Sequence, residues 1–174
     1  KDLKKIRGGK VSMIFQEPMA SFAPAIKIGN QMVEQLLLHK SIKKAEAKSI
    51  SVDMLKRVGI ADAEKRFNQY AFELSGGMRQ RAMIAMALST MPKLLLADEP
   101  TTALDVTIQA QVLDLIKSIV KEYQMGVIFI THDLGVIAQT ADYVAVMYLG
   151  CIVESGPVRE IIKNPKHPYT IGLL

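Results

Sequence analysis

Apolar residues recur at helical spacing in the first half of the chain. Their positions from Gln31 to Leu38 and from Lys43 to Val58 predict two amphipathic helices. A third helix is predicted to open at Gly77 and to continue to about Ser89. It ends there because Met91-Pro92 disfavours helical backbone angles before the proline.

Short strands and helices alternate after this point. Lys93 to Asp98 and Gly126 to Thr131 are almost entirely apolar, which is typical of parallel strands buried on both faces. Between them, Val106 to Tyr123 has one apolar face, which predicts a helix packed on the sheet. Further strands are predicted at Lys10 to Phe15, at Tyr143 to Tyr148 and, as a hairpin return, at Cys151 to Glu154. The pattern therefore predicts an α/β fold with a parallel sheet.

Two adjacent carboxylates, Asp98 and Glu99, follow the apolar run LLLA. Ligands of parallel α/β sheets bind at the carboxyl ends of the strands. In phosphoryl chemistry, one carboxylate can hold Mg²⁺ while the next orients or deprotonates an attacking water. Alternatively, Asp98 caps a turn and Glu99 is merely exposed, but the buried strand before them favours the chemical role.

Gln16 and His132 also follow predicted strands. Each alone is more often structural, the glutamine as a turn residue and the histidine as a partner of the backbone. Together with the carboxylates they would place polar groups from three strands at one edge of the sheet. This shared position favours a common site.

The segment LSGGMRQR, Leu74 to Arg81, precedes the third helix. A helix N-terminus presents unpaired N–H groups and partial positive charge, and Gly76 and Gly77 let a phosphate approach the backbone closely. Ser75 adds a hydroxyl donor or caps the helix. A serine followed by glycines is also a common helix start. The interpretation as a phosphate-binding segment therefore depends on the position of LSGGMRQR shortly before the apolar strand and its carboxylate pair.

The composition fits one packed domain or part of one. The chain has 174 residues, of which 49% are hydrophobic, and its apolar runs are shorter than the roughly 18 residues that a membrane span needs. Cys151 is the single cysteine and is expected to be a small buried hydrophobe in a reducing compartment. The net charge of +5 would suit nucleic acid or anionic lipid, but a solvated charged face is the preferred interpretation.

These segments together resemble the ATP-binding subunits of ABC transporters, over nearly the whole chain. LSGGMRQR resembles the signature motif, LLLADE the Walker B strand, ALD at residues 103–105 the D-loop, His132 the switch histidine and Gln16 the Q-loop glutamine. The segments QEPMASFAP, ADEPTTALDVTIQAQ, THDLGVIAQTAD and HPYTIGLL resemble the peptide and nickel importer branch.

The resemblance implies a partial P-loop NTPase-like (RecA-like) parallel sheet core with an inserted ABC helical subdomain. Residues 1–18 would carry the first core strand and the Q-loop, and 19–90 the helical subdomain with the signature motif. Residues 91–160 would carry Walker B, the D-loop and the H-loop, and 161–174 the start of a C-terminal extension. No iron-sulfur cluster is expected.

ATP and Mg²⁺ are the implied cofactors. By resemblance, Glu99 polarises the attacking water, His132 supports the γ-phosphate, and Gln16 and Asp98 hold Mg²⁺. The segment from Ser75 through Gly76 to Gly77 would face ATP held by a second ABC ATPase subunit, identical or not, in a head-to-tail dimer. Asp105 would line that dimer interface, although N-capping of the next helix explains it about as well.

The implied partners are membrane permease subunits and, indirectly, an external solute-binding protein. The helical region between Gln16 and Ser75 would contact the permease, with the protein cytoplasmic and peripheral on the inner face of the cell membrane. Oligopeptides, dipeptides or a related small solute would be the cargo. No nucleic acid partner is expected, although a soluble ABC ATPase acting on nucleic acid is an alternative.

The sequence lacks the P-loop of the family, and the aromatic residue that usually stacks on adenine is expected upstream of Lys1 as well. Gly9-Lys10 is followed by Val11, and Lys4 stands where the first glycine of that motif belongs. We therefore expect a fragment without the N-terminal strands and the P-loop, inactive alone and with exposed apolar sheet edges. A natural chain that serves as a non-catalytic half-site module is the alternative.

Overall fold

The structure is a computed structural model that describes residues 2–101 and 106–174. It divides into two compact units between Ile128 and Phe129. The first contains α1 (Asp2–Ile6), β1 (Val11–Ile14), α2 (Ile28–His39), α3 (Lys44–Arg57), α4 (Ala63–Phe67), α5 (Gly76–Ser89), β2 (Leu94–Asp98) and α6 (Val106–Tyr123). Strand β3 (Gly126–Ile130) crosses the division, and the second unit contains α7 (Leu134–Thr140), β4 (Tyr143–Tyr148), β5 (Cys151–Pro157), α8 (Val158–Lys163) and α9 (Pro168–Leu173). Within the described residues, no helix has both the length and the apolar character needed to cross a membrane.

A three-stranded sheet in the order β1-β2-β3 is the centre of the first unit. Strands β1 and β2 are parallel, with Val11 opposite Leu94 and Ile14 opposite Ala97. The start of β3 lies beside the start of β2, since the Gly126 amide donates to the Lys93 carbonyl at 2.9 Å. The predicted α/β class with a parallel sheet is confirmed, while the segment boundaries at residues 18, 90 and 160 remain predictions.

The prediction that these strands are buried on both faces is wrong for β3. Its Ile128 and Ile130 side chains are 50% and 49% exposed, and Phe15, predicted as the end of β1, lies beyond the strand and is 48% exposed. Strand β3 is an edge of the described sheet, so its apolar residues lack the neighbours that would bury them. An apolar run indicates preference for burial, but burial itself requires covering elements. The exposure agrees with the expectation of open apolar sheet edges.

Four helices form a packed layer in the first unit. Helix α3 contacts α2, α4 and α5, and α2 also contacts α5. On the predicted apolar face of α3, Met54, Leu55 and Val58 are buried, while Ile50 is half-buried. Full burial of such side chains contributes about 1.5–3 kcal/mol each, so this face holds α3 in the layer.

Helix α6 has the predicted bounds and most of the predicted buried face, with Val120 and Tyr123 only half-buried. Val112, Leu113, Ile116 and Ile119 are at most 4% exposed. At its C-terminal end, Arg57 of α3 donates hydrogen bonds to the Tyr123 hydroxyl and, at 3.0 Å, to the Glu122 carboxylate.

The second unit is built on the antiparallel hairpin of β4 and β5. Val144, Val146 and Ile161 form its small buried core. The return strand begins at Cys151 as predicted, but extends to Pro157.

The expectation of a buried Cys151 is wrong, because this side chain is exposed. It directly follows the hairpin turn, where Leu149 and Gly150 have φ of 47° and 81°. Such a two-residue turn matches the twist of the strands and projects from the sheet into solvent. The position at the turn therefore outweighs the apolar preference of the thiol.

The Glu154 carboxylate joins β5 to the segment before α9. It accepts hydrogen bonds from the backbone amides of Lys166 at 2.9 Å and His167 at 3.0 Å. The pKa of Glu154 is lowered from its ordinary value, first by the nearby Thr170 hydroxyl and then by the His167 and Lys166 amides. Thr170 Oγ1 makes no hydrogen bond of good geometry among the described residues, so the two amides are the better-defined contacts.

Replacing Gly29 by alanine is expected to destabilise the protein. A Cβ there would lie 2.3 Å from the Phe67 ring, and overpacking of this kind costs about 1–3 kcal/mol, against the roughly 1 kcal/mol that alanine gains in a helix. Gly172→Ala is the matched control, because no atom lies within 4 Å of its added Cβ. Urea-induced unfolding of both variants measures the difference, and equal stability of Gly29→Ala and the wild type would contradict the packing argument.

The contact of Glu154 is expected to weaken in acid. Because the folded-state pKa is lowered, its stabilising effect is fully present above the unfolded-state pKa and disappears as the pH falls through the folded-state value. The protection of the Lys166 and His167 amides from hydrogen exchange, relative to their intrinsic rates at each pH, should therefore fall below about pH 4.3, the ordinary glutamate pKa. Glu154→Gln should remove this pH dependence, and an identical acid response in that variant would exclude Glu154 as its source.

Candidate functional site

Gln16 and Glu99 meet at the carboxyl ends of β1 and β2. The Gln16 Nε2 atom donates a hydrogen bond of 2.6 Å to Glu99 Oε2. The parallel pairing of the two strands causes this contact, because it brings both strand ends to the same edge of the sheet. Two of the residues predicted to converge therefore do so.

Asp98 and Glu99 differ in backbone conformation although they are adjacent. Asp98 is the last residue of β2 and is half-buried, as is Glu99. Glu99 has a φ of 42°, in the left-handed region that few residues other than glycine adopt. Pro100 follows it, and the residue before a proline is normally pushed to extended angles. The carboxylate is thus presented from a strained turn, a feature that clusters at functional sites.

Ser75 and Gly76 form the start of α5. The Ser75 hydroxyl oxygen accepts a hydrogen bond of 3.4 Å from the Met78 amide, so Ser75 is the N-cap. A Cβ added to Gly76 would have no atom within 4 Å, and one added to Gly77 would lie 3.6 Å from Ile108. The start of this 14-residue helix is therefore uncovered on the Gly76 side, and the first amides of a helix have no partner within the helix itself.

The polar residues that follow the glycines have structural contacts. Arg79 Nε donates to the Leu74 carbonyl at 2.8 Å, and Arg81 Nη1 donates to the Val58 carbonyl at 2.7 Å. These bonds fix α5 to the preceding turn and to α3. The two arginine side chains thus hold the helix in place in this structure.

Gln80 is a residue that the sequence interpretation missed. Its side chain is 3% exposed and its Nε2 atom donates to the carbonyl of Pro100. Helical spacing could have predicted its burial, because Gln80 lies three residues before Met83 and four before Ile84, which are both buried. A polar residue on the buried face of a helix needs a hydrogen-bond partner.

His132 lies in the second unit, between β3 and α7, and is exposed. Its neighbour Asp133 caps α7 by accepting hydrogen bonds from the amides of Gly135 and Val136 at 2.8 and 3.2 Å. The convergence of His132 with Glu99 stays a prediction. Asp105 lies outside the described residues.

The described residues include no group of three His, Cys, Asp or Glu side chains that could hold a metal ion. Mg²⁺ often needs only one or two protein oxygens, because phosphates and waters complete its octahedral shell. The carboxylate of Asp98 and the amide oxygen of Gln16 are hard oxygen donors of the appropriate type. This donor chemistry fits Mg²⁺ bound together with a phosphate ligand.

Comparison with known proteins identifies the family. The model of the family described as "ABC transporter" matches residues 1–102, more than half of the chain. The chain belongs to the ABC transporter family. The predicted resemblance is thereby confirmed.

The relatives of this ABC family member include peptide transport proteins. It is 58% identical over 174 residues to the oligopeptide transport ATP-binding protein OppD of Bacillus subtilis, covering 100% of this chain and 49% of that protein. It is 55% identical to the oligopeptide transport ATP-binding protein AmiE of Streptococcus pneumoniae strain TIGR4, with the same coverage. The chain therefore spans about half the length of the curated relatives it matches.

A solved ABC structure supports the same assignment. The dimeric, post-hydrolysis ATP-binding cassette MJ0796, bound to ADP and Pi, matches with a TM-score of 0.79 and 26% identity, over 91% of this chain and 67% of that one. The partial cassette fold predicted for this chain is thus confirmed.

Proposed function

We propose that this chain is part of the ATP-hydrolysing subunit of an ABC importer for oligopeptides, dipeptides or a related small solute. The contact between Gln16 and Glu99 carries the proposal, because it joins two strand ends at the sheet edge where phosphoryl chemistry is expected. The names of the peptide transport relatives support the class of solute. The P-loop would come from sequence outside these 174 residues.

Within this subunit, Glu99 would orient the attacking water and accept its proton. Bound Mg²⁺ and ATP would supply the transferable phosphoryl group and the charge that polarises it. Asp98 and Gln16 would hold the metal through their oxygens, and the Gln16 amide would keep the Glu99 carboxylate in place through its 2.6 Å hydrogen bond. His132 would donate a hydrogen bond towards the γ-phosphate.

The start of α5 would serve a second subunit. The open N–H groups next to Ser75, Gly76 and Gly77 would bind the γ-phosphate of ATP held by an identical or different ABC ATPase subunit, in a head-to-tail dimer. The solved cassette similar to this chain is itself dimeric with ADP and Pi bound, which supports this arrangement. Asp105 would line the same interface.

The helical region between Gln16 and Ser75 would dock on membrane permease subunits, which receive solute from an external binding protein. Docking of this kind would put the subunit in the cytoplasm, peripheral on the inner face of the cell membrane. The peptide transport names of the relatives support this placement.

Glu99→Gln in the complete subunit is expected to retain ATP binding and to lose turnover. Removal of a general base lowers the rate by about 10²–10⁴-fold. Steady-state ATP hydrolysis and filter retention of labelled ATP measure the two quantities. Glu122→Gln is the matched control, since it makes the same change on the outer face of α6 and should stay within about twofold of the wild type. Unchanged hydrolysis by Glu99→Gln would remove Glu99 from the proposed role.

Gly76→Val is expected to abolish hydrolysis by blocking the approach of the partner's phosphate. The space around Gly76 is open, so the thermal midpoint should remain near that of Gly172→Val, which also adds a side chain in open space. If the subunits pair with copies of themselves, a mixed dimer of Gly76→Val and Glu99→Gln contains one site with both groups intact. Mixing should therefore restore hydrolysis. Inactive mixed dimers, verified by differential tags, would contradict the head-to-tail arrangement.

A further inference from the structure

Gln80 connects helix α5 to the turn that carries Glu99. It lies on the buried side of α5 and donates its side-chain amide to the carbonyl of Pro100, the residue next to Glu99. Pro100 is itself buried. A buried hydrogen bond between a helix side chain and a loop carbonyl fixes the loop at that point, because water is not available to replace the donor.

The turn needs such a restraint. Glu99 has a φ of 42° and precedes a proline, two conditions that the glutamate backbone disfavours. Strained conformations persist only when surrounding contacts overdetermine them. Gln16 contacts the Glu99 side chain from an exposed position, whereas Gln80 contacts the main chain of the turn from the protein interior.

Helix α5 is a firm support for this contact. Met83, Ile84 and Leu88 of the helix are at most 1% exposed. The Arg81 guanidinium attaches the same part of the helix to the Val58 carbonyl at 2.7 Å. The Gln80 amide is thus held on a packed element while the turn after β2 is not part of any helix or strand.

We propose that Gln80 is a positioning residue, which holds the strained Glu99-Pro100 turn through the Pro100 carbonyl and thereby aims the Glu99 carboxylate. This inference rests on the proposed ATP hydrolysis for its catalytic consequence, but its structural consequence can be measured separately. Loss of the amide donor should release the turn from its left-handed conformation. The carboxylate would then occupy the correct position for a smaller fraction of the time.

The test uses Gln80→Met in the complete subunit, because methionine keeps the length and burial of the side chain and lacks the donor. Amide hydrogen exchange at Glu99 and Thr101 should speed up by about tenfold, the effect of losing one hydrogen bond. The kcat for ATP should fall by about tenfold or more with KM within about twofold, as expected when a catalytic group is displaced. Gln111→Met is the control: it removes another amide that contacts α5 but does not contact the turn, and both quantities should stay near the wild type.

A double variant separates positioning from general destabilisation. In a Glu99→Gln background, Gln80→Met should cause no further loss of the residual rate, because both changes act through the same carboxylate. An additive loss, or wild-type exchange at Glu99 and Thr101, would overturn the proposal. If Gln80→Met does not fold, Gln80→Asn, which keeps the amide but is one methylene shorter, should give the same pattern. Should the wild-type subunit not hydrolyse ATP, the proposed function fails, and the exchange rates alone decide the role of Gln80.

Discussion

The parallel register of β1 and β2 determines where the candidate catalytic groups lie. Ile14 pairs with Ala97 near the ends of the two strands, and Gln16 and Glu99 each follow two residues after this pair. A slip of one residue would turn Ile14 away from the buried face, so the hydrophobic core and the site depend on the same register. Packing of the sheet therefore sets the geometry of the polar groups at its edge.

Helix α5 extends this constraint to the glycine segment. Its buried face packs on α2, α3 and β1, while its N-terminus, capped by Ser75, remains open to solvent. One rigid helix thus carries the open amides at one end and the Gln80 contact to the Glu99 turn one turn further on. A tilt of α5 would move both the amides at its start and the Gln80 side chain. The helix therefore couples the proposed phosphate-binding segment to the turn that carries Glu99.

The sequence was sufficient for the elements whose structure depends on local pattern. The bounds of α6 and the buried face of α3 follow from apolar spacing, and the contact of Gln16 with Glu99 follows from the rule for parallel strand ends. Three features depend on tertiary neighbours and were not predictable in this way. Strand β3 is exposed because the described sheet offers it no cover, Cys151 is exposed because a tight turn precedes it, and the role of Gln80 requires knowing which carbonyl faces it.

The Glu99 carboxylate and the amides at the start of α5 differ in how they would act on a phosphate. The partial positive charge of a helix N-terminus acts within about one turn and is weakened by water and salt. In the proposed role, the start of α5 would therefore contribute little until a phosphate displaced solvent at Gly76. A carboxylate at Glu99, in contrast, would repel an approaching phosphate unless Mg²⁺ accompanied it. Under the proposed function, hydrolysis would require the metal, the nucleotide and the amides of a second subunit together, so turnover would depend on closure of the dimer rather than on ATP binding alone.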